Sequence, residues 1–347
     1  MINEGALKAY LRETFPGVSS IDIRKLGSGV QGSGFLINMC TPEGCKTYVV
    51  KTLFPQGLGH DYPSDRAGVF LLDLDEYKNL PNHVAALDVL AELEGGAVKS
   101  IGGGKEYYLL MERAEGTDYF RDLEAFRDME HLAPSSMSKI KAMVSYLGGI
   151  HAKKKNSRAL YLRKVRDTIG HGECLMGVFD TYPDGTLSSL EMADIEKMCI
   201  DWRAGLRGRE YRLSQIHGDF HPGNIWFHND SEFVLLDRSR GPWGEPADDV
   251  TALTINYIFF SLRYHGVIRG AYFEGLQLFF DEYLKTTGDH EILEVLALFF
   301  AFRGVVVANP LFYPDVTPDV RRTIFRFVKN VLSCKRFDAG MMNDYLK

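Results

Sequence analysis

The chain has 347 residues, 45% of them hydrophobic and 12% aromatic, with 25% charged residues and a formal net charge of −6. That length accommodates two domains or one large bilobal unit with a sizeable core, and the charged fraction is ordinary for a soluble protein. The acidic balance argues against a general nucleic-acid binder, which carries a basic excess, and leaves room only for a local basic patch.

Met1-Ile-Asn-Glu-Gly shows no basic region followed by an apolar stretch, so no secretory signal is expected. The most apolar segment, residues 295–302, runs into Arg303 before Val305-Val306-Val307. A membrane span needs roughly 20 apolar residues, so this pattern predicts a buried core helix and no membrane span. Cys40, Cys45, Cys174, Cys199 and Cys334 are odd in number and form no C-x-x-C pair. This usage predicts a reducing, cytoplasmic compartment rather than a disulfide framework. Cys40 and Cys45 flank a Thr-Pro-Glu-Gly turn and are expected as near neighbours across a hairpin, packing as small apolar residues.

In chain order, residues 21–26 read as a strand followed by a run of glycines. Residues 35–39 and 47–53 are apolar and β-branched, and Pro42-Glu43-Gly44 separates them, which predicts an antiparallel meander. Residues 65–80 read as a helix. Val69, Leu72, Glu76 and Leu80 share a stripe at spacings of 3, 4 and 4, so Glu76 is expected among inward-facing positions. A carboxylate there needs a partner. Strands are expected at 97–101 and 107–111, joined by a glycine turn. Beyond Glu115-Gly116 the pattern turns helical, with an amphipathic helix at 137–151 and long helices from Val250 onward. The expected class is α+β, with a β-rich unit carrying one main helix over 1–114 and a larger, mostly helical unit over 115–347.

The segment His217-Gly-Asp219-Phe-His221-Pro-Gly-Asn224 contains H-x-D-x-x-x-x-N, the spacing of a kinase catalytic loop. In that chemistry an aspartate accepts a hydroxyl proton while an asparagine a few residues on binds metal at the phosphates. The apolar run Phe233-Val-Leu-Leu236 then ends in Asp237, placed as a second Mg2+ ligand.

This motif, in its H-G-D-x-H-P-x-N form, resembles the aminoglycoside phosphotransferase and choline kinase superfamily of small-molecule kinases. Gly244-Glu-Pro-Ala-Asp-Asp249 resembles the family's G-D-P-x-x-D segment, whereas Arg238-Ser239-Arg240 departs from the apolar residue usual after the metal aspartate. The resemblance implies a bilobal protein-kinase-like fold that moves the ATP γ-phosphoryl group to a hydroxyl of a small molecule. Asp219 would be the base, with Asn224 and Asp237 holding Mg2+.

Gly27-Ser28-Gly29-Val-Gln-Gly32 fits G-x-G-x-x-G, and strands rather than a helix surround it, as in a loop covering phosphates. Lys51 sits where the kinase phosphate-binding lysine is expected, with Glu76 to orient it and Asp73 and Asp75 as competitors for that role. Met111, Glu112 and Arg113 would form the hinge toward adenine. The 66 residues from His151 to His217 (217 − 151) resemble the helical insertion that helps form the acceptor pocket of small-molecule kinases.

Other readings stay open. His217 braces the loop, and His221 either approaches phosphate or is structural. The seven basic residues within 153–166 are either a solvated face or a site for an anionic acceptor or an acidic protein partner. Arg303 has a buried partner or reaches the acceptor. Asp248 and Asp249 brace the loop or meet a cationic acceptor. A protein kinase and a nucleotide-binding regulatory protein without turnover are the alternatives. Oligomeric state is not legible.

Overall fold

A computed structural model describes residues 2–347 except 30, 56–58, 80–83, 105, 107, 108, 110 and 239. The chain divides into two compact units, Met1–Met111 and Glu112–Lys347. The class is α+β, with a small N-terminal sheet and a helical C-terminal region.

The first unit opens with α1 (Glu4–Thr14), a helix not expected from the sequence. Asn3 caps it by accepting from the Ala6 N–H at 3.1 Å, and Leu7 and Leu11, one turn apart, are buried. They pack with Ile23, Ile37 and Met39 of a three-stranded antiparallel sheet. That sheet is β1 (Ser20–Ser28), β2 (Gly32–Thr41) and β3 (Gly44–Leu53), in sequential order as the meander predicts.

The Pro42-Glu43 turn sets Cys40 directly opposite Cys45, and the two form a disulfide. The expectation of unpaired cysteines fails at this pair, so cysteine usage no longer argues for a reducing compartment. Cys174 and Cys199 are free and buried, and Cys334 is free and half-buried.

Helix α2 (Pro63–Glu76) corrects a second expectation. Its partly covered apolar positions are Ala67, Phe70, Leu71 and Leu74, while Val69, Leu72 and Glu76 are exposed. Positions 67, 70, 71 and 74 repeat at i, i+3, i+4 and i+7, and Leu74 lies against Gly102. The helix is thus rotated relative to the predicted stripe, and an exposed Glu76 needs no buried partner. Leu80, the last member of that stripe, lies outside the described residues. A short hairpin, β4 (Leu90–Glu92) and β5 (Val98–Ser100), follows. The strand expected at 107–111 falls largely outside the described residues, and Leu109 and Met111 are in no strand.

In the second unit, β6 (Thr117–Asp118) leads into α3 (Phe120–Ala125) and α4 (Pro134–His151). Between α4 and the catalytic-loop motif lie α5 (Arg158–Gly170), α6 (Leu175–Asp180) and α7 (Ser189–Gly205). The motif is framed by short strands, β7 (Ser214–Gln215), β8 (Ile225–Phe227), β9 (Phe233–Leu235) and β10 (Trp243–Gly244), where β10 pairs with β7 and β9 with β8.

The core is α8 (Ala247–His265), α9 (Gly270–Thr287), α10 (Leu296–Val307) and α11 (Pro318–Ser333). Helices α8 and α10 are buried on nearly every face, as an all-round apolar helix must be. Leu253, Ile255, Tyr257, Ile258, Phe259 and Leu262 hold α8 in place. Each such side chain contributes about 1.5–3 kcal/mol on burial, which together outweighs the cost of burying Asp248 and Asp249 in its first turn. Among the described residues no helix is long and apolar enough to cross a membrane, in line with the buried helix expected at 295–302.

Candidate active site

Asp249 organises the loop between β7 and β8. One carboxylate oxygen accepts the Gly218 N–H at 2.7 Å, and the other accepts the His217 N–H at 2.8 Å and His151 Nε2 at 3.1 Å. His151 is fixed in turn through Nδ1 to the Tyr283 hydroxyl at 2.8 Å. Gly218 has φ of +91°, and an added Cβ would lie 3.4 Å from the Gly241 carbonyl oxygen. Glycine is required there because a side chain would be strained. His217 braces the same turn, its Nδ1 accepting the Asp219 N–H at 3.3 Å.

Asn224 is buried and donates from Nδ2 to the Asp219 carbonyl at 3.0 Å. Its backbone carbonyl accepts the Leu236 N–H at 3.0 Å, so β9 returns the chain to the loop just before Asp237. Asp237 is exposed and left-handed, with φ of +49°, a conformation aspartate tolerates better than most residues. Among the described residues its carboxylate has no ion pair. With Nδ2 spent on the backbone, Asn224 keeps its amide oxygen for a ligand. An amide oxygen and an unpaired carboxylate fit the oxygen preference of Mg2+. No group of three or more His, Cys, Asp or Glu side chains with metal-site geometry occurs among the described residues.

Asp219 is buried among cations. Arg303, on α10, donates from Nη1 to Asp219 Oδ1 at 2.6 Å, and Arg240 Nη1 approaches the same oxygen at 3.3 Å. Burial alone would raise the Asp219 pKa, but Arg303, Arg240 and His221 outweigh it and hold the carboxyl below its ordinary value. His221 Nδ1 accepts the Gly223 N–H at 3.1 Å, which leaves the ring proton on Nε2, 4.0 Å from Asp219 Oδ2. Burial lowers the His221 pKa, and Arg303 and Arg240 add to that effect against Asp219.

Arg303 has the buried partners its place in an apolar helix implies. Its Nη2 donates to the Gly218 carbonyl at 3.1 Å and to Asp248 Oδ1 at 2.8 Å. Lys164 Nζ holds the other Asp248 oxygen at 2.5 Å. Burial would raise the Asp248 pKa, yet Lys164 and Arg303 bring it down to about 2. Asp248 and Asp249 are therefore both committed to bracing.

Most of the basic run has partners of its own, and Lys153 is exposed. Lys154 donates to Ser214, Lys155 lies over the Trp243 ring, Arg158 pairs with Glu210, and Arg163 and Arg166 pair with Asp167.

Gly27 and Ser28 end β1, Gly29 lies in the turn, and Gly32 opens β2, where a Cβ would come within 1.9 Å of the Thr52 carbonyl oxygen. Val30 lies outside the described residues. Lys51, on β3 opposite Gly34, is exposed and has no ion pair among the described residues. Glu76 accepts from Asn79 at 3.1 Å and makes no pair with Lys51. Met111, Glu112 and Arg113 are exposed and in no helix or strand.

Sequence reasoning missed Lys164 and His151 as braces and Arg240 as a neighbour of Asp219. The Arg238-Ser239-Arg240 departure was the available signal. Arg238 donates to the Ile216 carbonyl at 2.9 Å, which fastens the segment to the strand side of the loop.

No family model and no curated protein matches the chain. Among solved structures it is similar to an amicoumacin kinase in complex with AMP-PNP and Ca2+, at 14% identity over 98% of this chain and 96% of that one, with a TM-score of 0.42. A choline/ethanolamine kinase family protein from Mesorhizobium loti shows 11% identity over 99% and 98% of the two chains, with a TM-score of 0.39. An ADP-bound aminoglycoside phosphotransferase shows 13% identity over 94% and 96%, with a TM-score of 0.34. The chain is thus similar to solved aminoglycoside phosphotransferases and choline or ethanolamine kinases.

Proposed function

We propose that the chain is an ATP- and Mg2+-dependent phosphotransferase acting on a hydroxyl of a small molecule. The observation that carries this reading is the pinned loop. Asp249 fixes the His217 and Gly218 amides, Asn224 is tied to the Asp219 carbonyl, and β9 delivers Asp237 beside them. Phosphoryl transfer asks for such positioning more than for covalent chemistry.

Asp219 takes the proton of the acceptor hydroxyl. Asn224, through its amide oxygen, and Asp237 would hold the metal. When bound, MgATP would supply the γ-phosphoryl group to the acceptor oxygen, with ADP as the leaving group. His217 braces the loop. Gly27, Ser28, Gly29, Gly32 and Lys51 are assigned to the triphosphate, and Met111, Glu112 and Arg113 to adenine, on their sequence pattern. Glu76 keeps its assigned role beside Lys51 only as a sequence expectation.

One observation favours a second reading, a nucleotide-binding regulatory protein without turnover: Arg303 occupies Asp219 Oδ1 at 2.6 Å. An ADP-release screen over amino sugars, amino alcohols, sugars, nucleosides and hydroxy acids separates the two, with Asp219→Asn as the blank. Release above that blank supports the phosphotransferase. Nucleotide binding without release on any acceptor supports the regulatory protein.

A further inference from the structure

Three cations, Arg303, Lys164 and Arg240, surround the buried carboxylates Asp219 and Asp248. Asp248 gives one oxygen to Arg303 and the other to Lys164, and Asp219 Oδ1 takes Arg303 at 2.6 Å. Arg303 and Lys164 take the close contacts of those two carboxylates, and Arg240 is held by longer ones. It reaches the already engaged Asp219 Oδ1 at 3.3 Å, and its Nε lies 3.8 Å from a carboxylate oxygen of Glu173, whose side chain is 61% exposed. Among the described residues the buried Arg240 Nε makes no hydrogen bond. A buried donor without an acceptor is costly, and a guanidinium with unused N–H groups matches an oxyanion in a forked geometry. The Phe302 ring supports both guanidinium groups, Arg240 at 5.3 Å and Arg303 at 4.7 Å.

We propose that Arg240, backed by Arg303, is the subsite for an oxyanion of the acceptor, a carboxylate or a phosphate ester carried near the hydroxyl that Asp219 receives. A cationic acceptor is disfavoured by the same geometry. The buried carboxylates that could meet it, Asp248 and Asp249, have both oxygens engaged, and Arg240 and Arg303 repel positive charge beside the base. The anion site rests on the geometry of Arg240 and Arg303. Only the statement that the acceptor carries the anion rests on the phosphotransferase reading.

The same oxyanion chemistry could come from the γ-phosphate of the nucleotide, and the test separates the two. Inorganic phosphate is titrated calorimetrically into the full chain, without nucleotide and with saturating Mg2+–AMP-PNP, for wild type and Arg240→Gln. The expected result is phosphate binding that persists with AMP-PNP present and weakens at least about 30-fold in Arg240→Gln, the loss of a buried charge-assisted contact. The affinity for AMP-PNP should stay within about threefold. Arg240→Lys, which keeps the charge without the fork, should weaken phosphate about tenfold and serves as the readout if the glutamine variant does not melt cooperatively. Three results overturn the proposal: no phosphate binding, phosphate binding indifferent to both substitutions, or weakened AMP-PNP binding that places Arg240 on the nucleotide. If AMP-PNP binds neither protein, the phosphotransferase reading fails, and the titration without nucleotide still decides the anion site.

Discussion

Arg303 and Asp219 stand 84 residues apart in the chain and share a 2.6 Å hydrogen bond in the core of the helical unit. The guanidinium also reaches the Gly218 carbonyl and Asp248, so one side chain ties the proposed base, its loop and the first turn of α8 together. Without Arg303, Asp219 keeps Arg240 and Asp248 keeps Lys164, and the loss is that of buried acceptors left short of a donor, about 1–3 kcal/mol. Arg303→Met is therefore expected to lose stability of that size in urea unfolding. A loss below about 1 kcal/mol, the level of a surface ion pair, would show that the contact is not the linchpin described.

Asp249 is predicted to be a positioning residue. Its two oxygens accept from His217, Gly218 and His151, and an asparagine replaces one acceptor oxygen with a donor. At least one buried N–H is then stranded, costing about 1–3 kcal/mol. In Asp249→Asn, kcat should fall while the acid limb of its pH profile, assigned to the proposed base Asp219, stays where it is. A moved limb would mean that Asp249 itself titrates in catalysis.

Asp237 separates function from stability. It is exposed and has no ion pair among the described residues, and asparagine tolerates its left-handed backbone. Asp237→Asn should leave the unfolding midpoint nearly unchanged, within about 0.5 kcal/mol, while Mg2+-dependent turnover disappears. Normal turnover with ordinary Mg2+ dependence would remove Asp237 from the metal site.

Acid sensitivity follows from Asp248. Its folded pKa of about 2 lies below the ordinary 3.8, so the stabilisation is full above the ordinary value and is lost as pH falls from about 4 toward 2. The expected contribution is on the order of 2 kcal/mol. Urea midpoints of wild type should drop across that window more steeply than those of Asp248→Asn. Parallel pH profiles would contradict the pairing with Lys164 and Arg303.

Legibility in the sequence followed the range of the interactions. The β1–β3 meander was readable because β-branched runs and the Pro42-Glu43-Gly44 turn act locally, and the His217–Asn224 motif because its spacing is set within one loop. Helix α1 was missed although Asn3 and the Leu7/Leu11 pair were available as a cap and a face. The α2 stripe was misread because two apolar rows of that helix compete, and only packing through Leu74 selects one. Arg303 was recognisable as a charge in an apolar helix. Its partners were not, since tertiary packing alone brings Asp219 and Asp248 to it. The same holds for Lys164, which looked like one more member of a basic run.

The claim on which the others depend is that Asp219 receives the proton of the acceptor hydroxyl during phosphoryl transfer. Its most direct measurement is kcat for Asp219→Asn beside wild type on the best acceptor from the screen, together with the dissociation constant for Mg2+–AMP-PNP. A fall in kcat of about 10²–10⁴, with the dissociation constant within about threefold, is the predicted result. Undiminished turnover in the variant, or no Mg2+-dependent ADP release by wild type with any hydroxyl compound, would contradict it.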